Sequence, residues 1–368
     1  MQPTKTLPLV QVQRGYALVS LPKKTLAFFY ASKIKESKYT KSSGFNYFKQ
    51  MSLHDNQTLA MTIINEKKKV FRHFDFFMGT KNIIAKKMLK NFIFLAAQTS
   101  EGHLKIAILD ENYKLKFTHI SKKIDVLKIY NIFSHIDGSY SLALQVANDK
   151  HNQDYFNRGN GVSSVAILKF SPLLYPMAQH IIGDNNLDRL VDIIKDSQET
   201  YYIFSQNHRD ISLYQHDYNK NSTQKRSFTL SKASSLQKVF TDNNGNFFIA
   251  GNHNHWFIYK NDTQMIRSYD LAKVKHATIK SIHTLSDNSL IISGNYPSSS
   301  GDEDIFIHNY SPKQSLLWEN YYRSKSNDIL LSDELTSKNI LIKSLIYTSK
   351  KVQSLAIFKL NYQGKSYK

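Results

Sequence analysis

The chain has 368 residues, a net charge of +20 and no cysteine, which excludes disulfides, thiolate metal sites and cysteine nucleophiles. An apolar fraction of 41 % and an aromatic fraction of 12 % are enough to build a packed core. No apolar run approaches the ~18 residues of a membrane-spanning helix, and the opening residues MQPTK lead into no export signal.

In chain order, short apolar runs return at 26–30, 59–63, 93–97, 142–146, 201–204, 247–250, 290–293 and 340–342. From the third copy on, a second apolar run follows each, at 106–109, 165–168, 211–214, 256–259, 305–308 and 355–358. A run of four or five apolar residues bounded by turn residues reads as a strand buried on both faces. Turn chemistry agrees: Asp242-Asn243-Asn244-Gly245 and Ser286-Asp287-Asn288 stand just before second strands. Their side chains tolerate the positive φ of tight hairpins. Helical periodicity is scarce; 186–194 (NNLDRLVDI) is the best short candidate, or else a connector into a first strand.

Eight copies over 368 residues give about 46 residues per unit, the size of a β-propeller blade. The expected fold is therefore all-β: one propeller domain over 1–368, of eight blades, with seven as the alternative, each of four antiparallel strands. A strand around 9–12 is expected to join the last blade, whose own fourth strand near 364–367 is short. Such closure removes exposed sheet edges. Gly251 and Gly294, right after second strands, would let the chain turn where blades crowd.

The late copies, 242–252 (DNNGNFFIAGN) and 286–295 with 305–318 (SDNSLIISGN … IFIHNYSPKQSLLW), resemble the degenerate bacterial β-propeller repeats built on D-G-G/N-φ-φ-φ-A/S-G. Gly-His and Trp-Asp signatures of WD40 blades and the paired glycines of kelch blades are missing. The resemblance implies a propeller and no particular chemistry.

Loops between second and third strands carry His103, His151, His208, His253 and His255. Glu101, Arg209, Asp302 and Asp304 stand beside them. In a propeller these loops share a face, so convergent imidazoles and carboxylates could act as acid and base on an anionic polysaccharide. The longest insertion, 147–164, places Tyr155 and Arg158 among Asn and Gly as an adaptable recognition surface, with Arg209, Asp302 and Asp304 on the same expected ligand-binding face. Residues 1–125 hold a net +14 of the charge. Lys67, Lys68, Lys69, Arg72, Lys86 and Lys87 would form a polyanion-binding rim with the aromatics of 71–77.

Phosphate loops, nucleophile elbows and zinc helices are all missing from the sequence. The expected function is a non-enzymatic scaffold that docks a protein or envelope partner through a loop face. A propeller lyase or hydrolase, and polyanion or membrane-surface binding, are the alternatives. No cofactor or metal is expected, and the protein reads as monomeric. Its compartment is the cytoplasm, or the periplasm or cell envelope if an export signal precedes the chain.

Overall fold

The computed structural model describes residues 5–8, 16–21, 25–33, 57–64 and, with short interruptions, 69–366; the longest interruption is 148–162. Its strands form seven four-stranded antiparallel sheets among the described residues. The first contains β2 (Tyr16–Leu21), β3 (Thr25–Lys33), β4 (Gln57–Ile64) and β5 (Lys69–Phe74). The second contains β6 (Thr80–Lys87), β7 (Ile93–Thr99), β8 (Leu104–Leu109) and β9 (Leu115–Ser121). A third holds β10 (Val126–Ser134), β11 (Tyr140–Ala147), β12 (Ser163–Phe170) and β13 (Pro176–Ile182). The fourth holds β14 (Leu190–Lys195), β15 (Thr200–Asn207), β16 (Asp210–Asp217) and β17 (Ser222–Thr229). Next come β18 (Leu236–Thr241), β19 (Phe247–Gly251), β20 (His255–Lys260) and β21 (Met265–Asp270). The sixth is β22 (Thr278–Thr284), β23 (Leu290–Pro297), β24 (Glu303–Tyr310) and β25 (Leu316–Tyr322). In the last, β1 (Lys5–Pro8) pairs with β28 (Lys351–Asn361), followed by β27 (Asn339–Thr348) and β26 (Asp328–Leu335).

This is the all-β propeller architecture expected from the repeat. The N-terminal strand completes the last sheet, with Lys5 opposite Ile357 and Leu7 opposite Leu355. It lies a few residues before the expected 9–12, which fall outside the described residues. Residues 364–366 add only a bridge, Leu360 with Ser366, and no fourth strand. At the N-terminal end, the runs 26–30 and 59–63 are not second strands of two sheets. They pair with each other as β3 and β4, Leu26 opposite Ile64 and Tyr30 opposite Ala60. Two apolar strands of one sheet look alike in sequence, so the repeat count gives eight where the described sheets number seven. Over 190–194 the helical reading gives way to β14. Among the described residues no helix is long and apolar enough to cross a membrane.

The chain divides into two compact units. One comprises 1–11, 204–213 and 226–368; the other comprises 12–203 and 214–225. Second strands are buried almost throughout, as in β7, β15 and β19, whereas outer strands such as β17 are mostly exposed. Buried apolar side chains from adjoining sheets pack together within each unit. Phe94, Leu144 and Phe170 do so in one, and Trp256, Ile292 and Phe306 in the other.

A recurrent amide ties the end of a second strand to the start of the next sheet. Asn295 Nδ2 donates to the Asp328 carbonyl (2.7 Å), and its Oδ1 accepts from the Leu330 amide (3.2 Å). Gln206 does the same with the Ser234 carbonyl (2.6 Å) and the Leu236 amide (2.8 Å). Gln98 donates to the Val126 carbonyl. A primary amide carries both a donor and an acceptor, so it satisfies two buried backbone groups at once. Gly294 explains its own position: a Cβ there would lie 2.1 Å from the Thr278 carbonyl oxygen and 2.8 Å from the Phe306 ring.

Candidate functional site

The first strands β6, β10 and β14 end near one another, and their ends and turns line a cleft of about 460 Å³. Lys86, Phe133, His135, Ile136, Lys195 and Glu199 are its principal side chains, with Ser134 and Asp196 completing the wall. The turn after β10 is closed by two backbone bonds, His135 N to Ser139 O (3.0 Å) and Gly138 N to His135 O (3.1 Å). Asp137 Oδ1 accepts from the Ser139 amide at 2.9 Å, and Gly138 takes a φ of 79°. That turn pushes Ile136 outward, where it is 90 % exposed. In the turn after β14, Asp196 accepts from the Gln198 and Thr200 amides (2.8 and 2.9 Å) and from the Tyr202 hydroxyl (3.0 Å). Its carboxylate is thereby committed to holding the turn. Glu199 sits at a φ of 66°, a region uncommon outside glycine.

From there the Glu199 carboxylate meets His135 Nδ1 and accepts from Lys195 Nζ at 2.7 Å. Burial pushes the Glu199 carboxyl up, but the hydrogen bonds from Lys195 and His135 outweigh it and hold it below the ordinary range. On the other side of the ring, His135 Nε2 lies 2.9 Å from Ser141 Oγ, which is 2.5 Å from the Tyr201 hydroxyl. Burial, the largest influence, lowers the His135 pKa. Carboxylate, imidazole and hydroxyl thus follow in the order of a nucleophilic relay. Ser141, however, is fully buried and already bound to Tyr201, so no substrate atom reaches its oxygen. The set works as a brace between β11 and the β14–β15 hairpin.

Lys86 gives the cleft its distinctive charge. Its Nζ donates to the Ile132 carbonyl at 2.6 Å and lies 5.8 Å from the centre of the Phe133 ring. Burial lowers its pKa first, and the neighbouring Lys195 ammonium lowers it further. Among the described residues no carboxylate pairs with it. A half-buried ammonium facing a second cation is an anion-accepting arrangement.

A second buried network lies on β22, β23 and β26. Asp333 accepts from Ser281 Oγ (2.5 Å), Ser293 Oγ (2.7 Å) and His283 Nε2 (2.9 Å). Here the carboxylate is the hub, with both hydroxyls on it directly, so no imidazole stands between acid and hydroxyl. Burial raises the Asp333 pKa, yet the three hydrogen bonds bring it below the usual carboxylate range.

Several residues singled out in the sequence have local partners. His103 Nδ1 is 3.2 Å from Glu101. Arg209 spends Nε and Nη2 on the Leu230 carbonyl (2.9 and 2.7 Å). His208 adopts a φ of 52°, and its carbonyl accepts from Gln206 Nε2 at 2.7 Å. His255 Nδ1 pairs with Asp270. Asp304 is buried 3.8 Å from Arg323 Nε, and burial raises its pKa. Asp302 closes its loop through a carbonyl that accepts from the Ser298 amide at 2.7 Å. His151, Tyr155, Arg158, His253, Lys67 and Lys68 lie outside the described residues, as do the side chains of Lys69 and Arg72. Of the basic rim, Lys87 is exposed and Lys86 turns into the cleft. Among the described residues no three His, Asp or Glu side chains gather as a metal centre would require.

His135, Ile136, Lys195 and Glu199 were not singled out by sequence reasoning. One signal was available: an isoleucine in the middle of an otherwise polar turn, Ser134-His135-Ile136-Asp137-Gly138-Ser139.

No family model matches the chain, and no curated protein matches it by sequence. Solved structures do match its fold. BamB from Moraxella catarrhalis is 9 % identical with a TM-score of 0.50, over 96 % of this chain and 99 % of that one. A chain of the mitotic checkpoint complex is 10 % identical with a TM-score of 0.56, over 96 % of this chain and 91 % of that one. The dihydro-heme d1 dehydrogenase NirN is 10 % identical with a TM-score of 0.54, over 96 % of this chain and 72 % of that one. At such identities the likeness concerns the propeller fold alone.

Proposed function

We propose that this chain is a non-enzymatic β-propeller scaffold that docks a protein partner, and that the partner seats on the cleft formed by the ends of β6, β10 and β14. One observation carries the reading: Ile136, 90 % exposed at the mouth of a lysine-lined cleft, has no part in the fold around it. An apolar side chain held out by a rigid turn beside charged groups is the layout of an interface anchor with a polar rim. The sealed Ser141 hydroxyl supports the same reading, because the one relay-like set at the cleft has no accessible nucleophile. Similarity in fold to a chain of the mitotic checkpoint complex, itself a protein assembly, is in keeping with it.

The test is affinity capture from the native host with quantified stoichiometry, using wild-type and Ile136→Glu baits in parallel. The expected result is one partner near equimolar on wild type and depleted about tenfold or more on the variant. A partner retained equally by both baits would move docking away from this cleft. Absence of any stoichiometric partner, together with turnover of a glycan substrate, would overturn the scaffold reading.

A further inference from the structure

The charge inside the cleft says what kind of segment it takes. Lys195 is answered by Glu199, and Glu199 is shared with His135. Asp196 is occupied by two amides and the Tyr202 hydroxyl. Lys86, which lines the cleft, has three N–H donors and among the described residues spends one, on the Ile132 carbonyl. A half-buried ammonium with no carboxylate is costly, and an incoming anion relieves it. Apolar surface lies alongside, in Phe133 within the wall and Ile136 at the mouth.

We propose that the cleft binds an acidic–apolar segment of a protein partner, one carboxylate entering between Lys86 and Lys195 while a neighbouring apolar side chain packs on Ile136 and Phe133. This rests on the scaffold reading above and adds the partner's chemistry to it. The cavity, about 460 Å³, suits one or two side chains. Lys86 contributes the unmatched charge, Lys195 the second donor, and Ile136 the apolar anchor. The Glu199–His135 brace holds the Lys195 ammonium in place while neutralising only part of the local positive charge.

Fluorescence anisotropy with the full chain tests the idea, using a fluorescein-labelled, capped hexapeptide of alternating leucine and glutamate. A glutamine counterpart and free acetate serve as comparison probes. Saturable binding is expected for the glutamate peptide, weaker by about tenfold or more for the glutamine peptide. Lys86→Met is expected to cost about tenfold. Because Ile136 is exposed, Ile136→Glu leaves the core untouched; it is expected to weaken binding about as much, by placing a competing carboxylate at the mouth. Equal affinity for both peptides overturns the proposal, as does wild-type affinity in both variants. Full competition by acetate at the peptide's own concentration would reduce the site to a simple anion pocket and also overturn it. Failure here is separable from failure of the scaffold reading. A stoichiometric partner that binds the Lys86→Met protein normally leaves the scaffold standing and removes the carboxylate cleft. Peptide binding without any native partner does the reverse.

Discussion

Asp333→Ala is expected to destabilise the protein by about 3–5 kcal/mol, the range for removing one member of a buried charged hydrogen-bond network. The Asp333 side chain is 2 % exposed and carries bonds from Ser281, Ser293 and His283. Alanine would take the carboxylate acceptor from two buried hydroxyls and an imidazole, leaving the hydroxyls, 2.7 Å apart, only each other, and would unlink β26 from β22 and β23. Asp333→Asn keeps the shape and two acceptor lone pairs, so its cost is expected to be smaller. Equilibrium urea unfolding at neutral pH reads both. A loss below about 1 kcal/mol for the alanine variant would show that the network is not a structural hub.

Acid is expected to destabilise the fold well before its carboxylates protonate. His216 and His308 are 1 % and 0 % exposed, and burial holds both pKa values at about 4 against an ordinary 6.5. His216 Nε2 lies 2.8 Å from His180 Nδ1, and its own Nδ1 is 2.9 Å from Thr223 Oγ1. His308 sits between the Tyr310 and Tyr321 hydroxyls at 3.3 and 3.1 Å, with Glu319 and Lys273 beyond them. In the folded state both rings stay neutral while the unfolded chain takes up protons. Stability is therefore complete above pH 6.5, falls as the pH drops toward 4, and stops falling from this source below that. Each ring contributes roughly 3 kcal/mol over that window. Unfolding midpoints at pH 7.5, 5.5 and 4.0 check it, with His216→Gln and His308→Gln expected to flatten the profile. A profile that stays level down to pH 4 would contradict the expectation. Loss confined to lower pH would point to carboxylates instead, such as Asp137, whose pKa is drawn down to about 2, chiefly by the Ser139 hydroxyl.

Much of the architecture was legible in the sequence because propeller sheets repeat local signals. Asp242 and Asp287 cap turns where the sequence placed turns, accepting from the Asn246 and Ser289 amides at 2.8 and 2.9 Å. Second strands such as 247–250 and 290–293 fell where continuous apolar runs stood. The N-terminal strand closes the last sheet as expected. Gly294, however, does not follow its strand to turn the chain: it lies inside β23, where the Thr278 carbonyl and the Phe306 ring approach too closely for a Cβ. The first sheet was harder, since β3 and β4 are both apolar and their spacing imitates two repeats. Residues 190–194 carry a pattern compatible with helix or strand, and sheet pairing decided between them.

The cleft was barely legible, for a physical reason. Its members come from 86, 133–136 and 195–199, in three sheets, and no local spacing connects them. Lys86 was visible as part of a basic cluster, yet nothing in 81–90 says that its ammonium turns inward to the Ile132 carbonyl. Glu199 belongs to a polar turn like many others. Only the packing of adjoining sheets brings it to His135.

The most direct measurement is site-specific photo-crosslinking in the native host, with a photoreactive side chain at position 136 and, for comparison, at Leu317, which is 55 % exposed on β25. A protein docked on the cleft predicts one discrete adduct from position 136 and none of that size from 317. The same adducts from both positions, or none from 136, would contradict it.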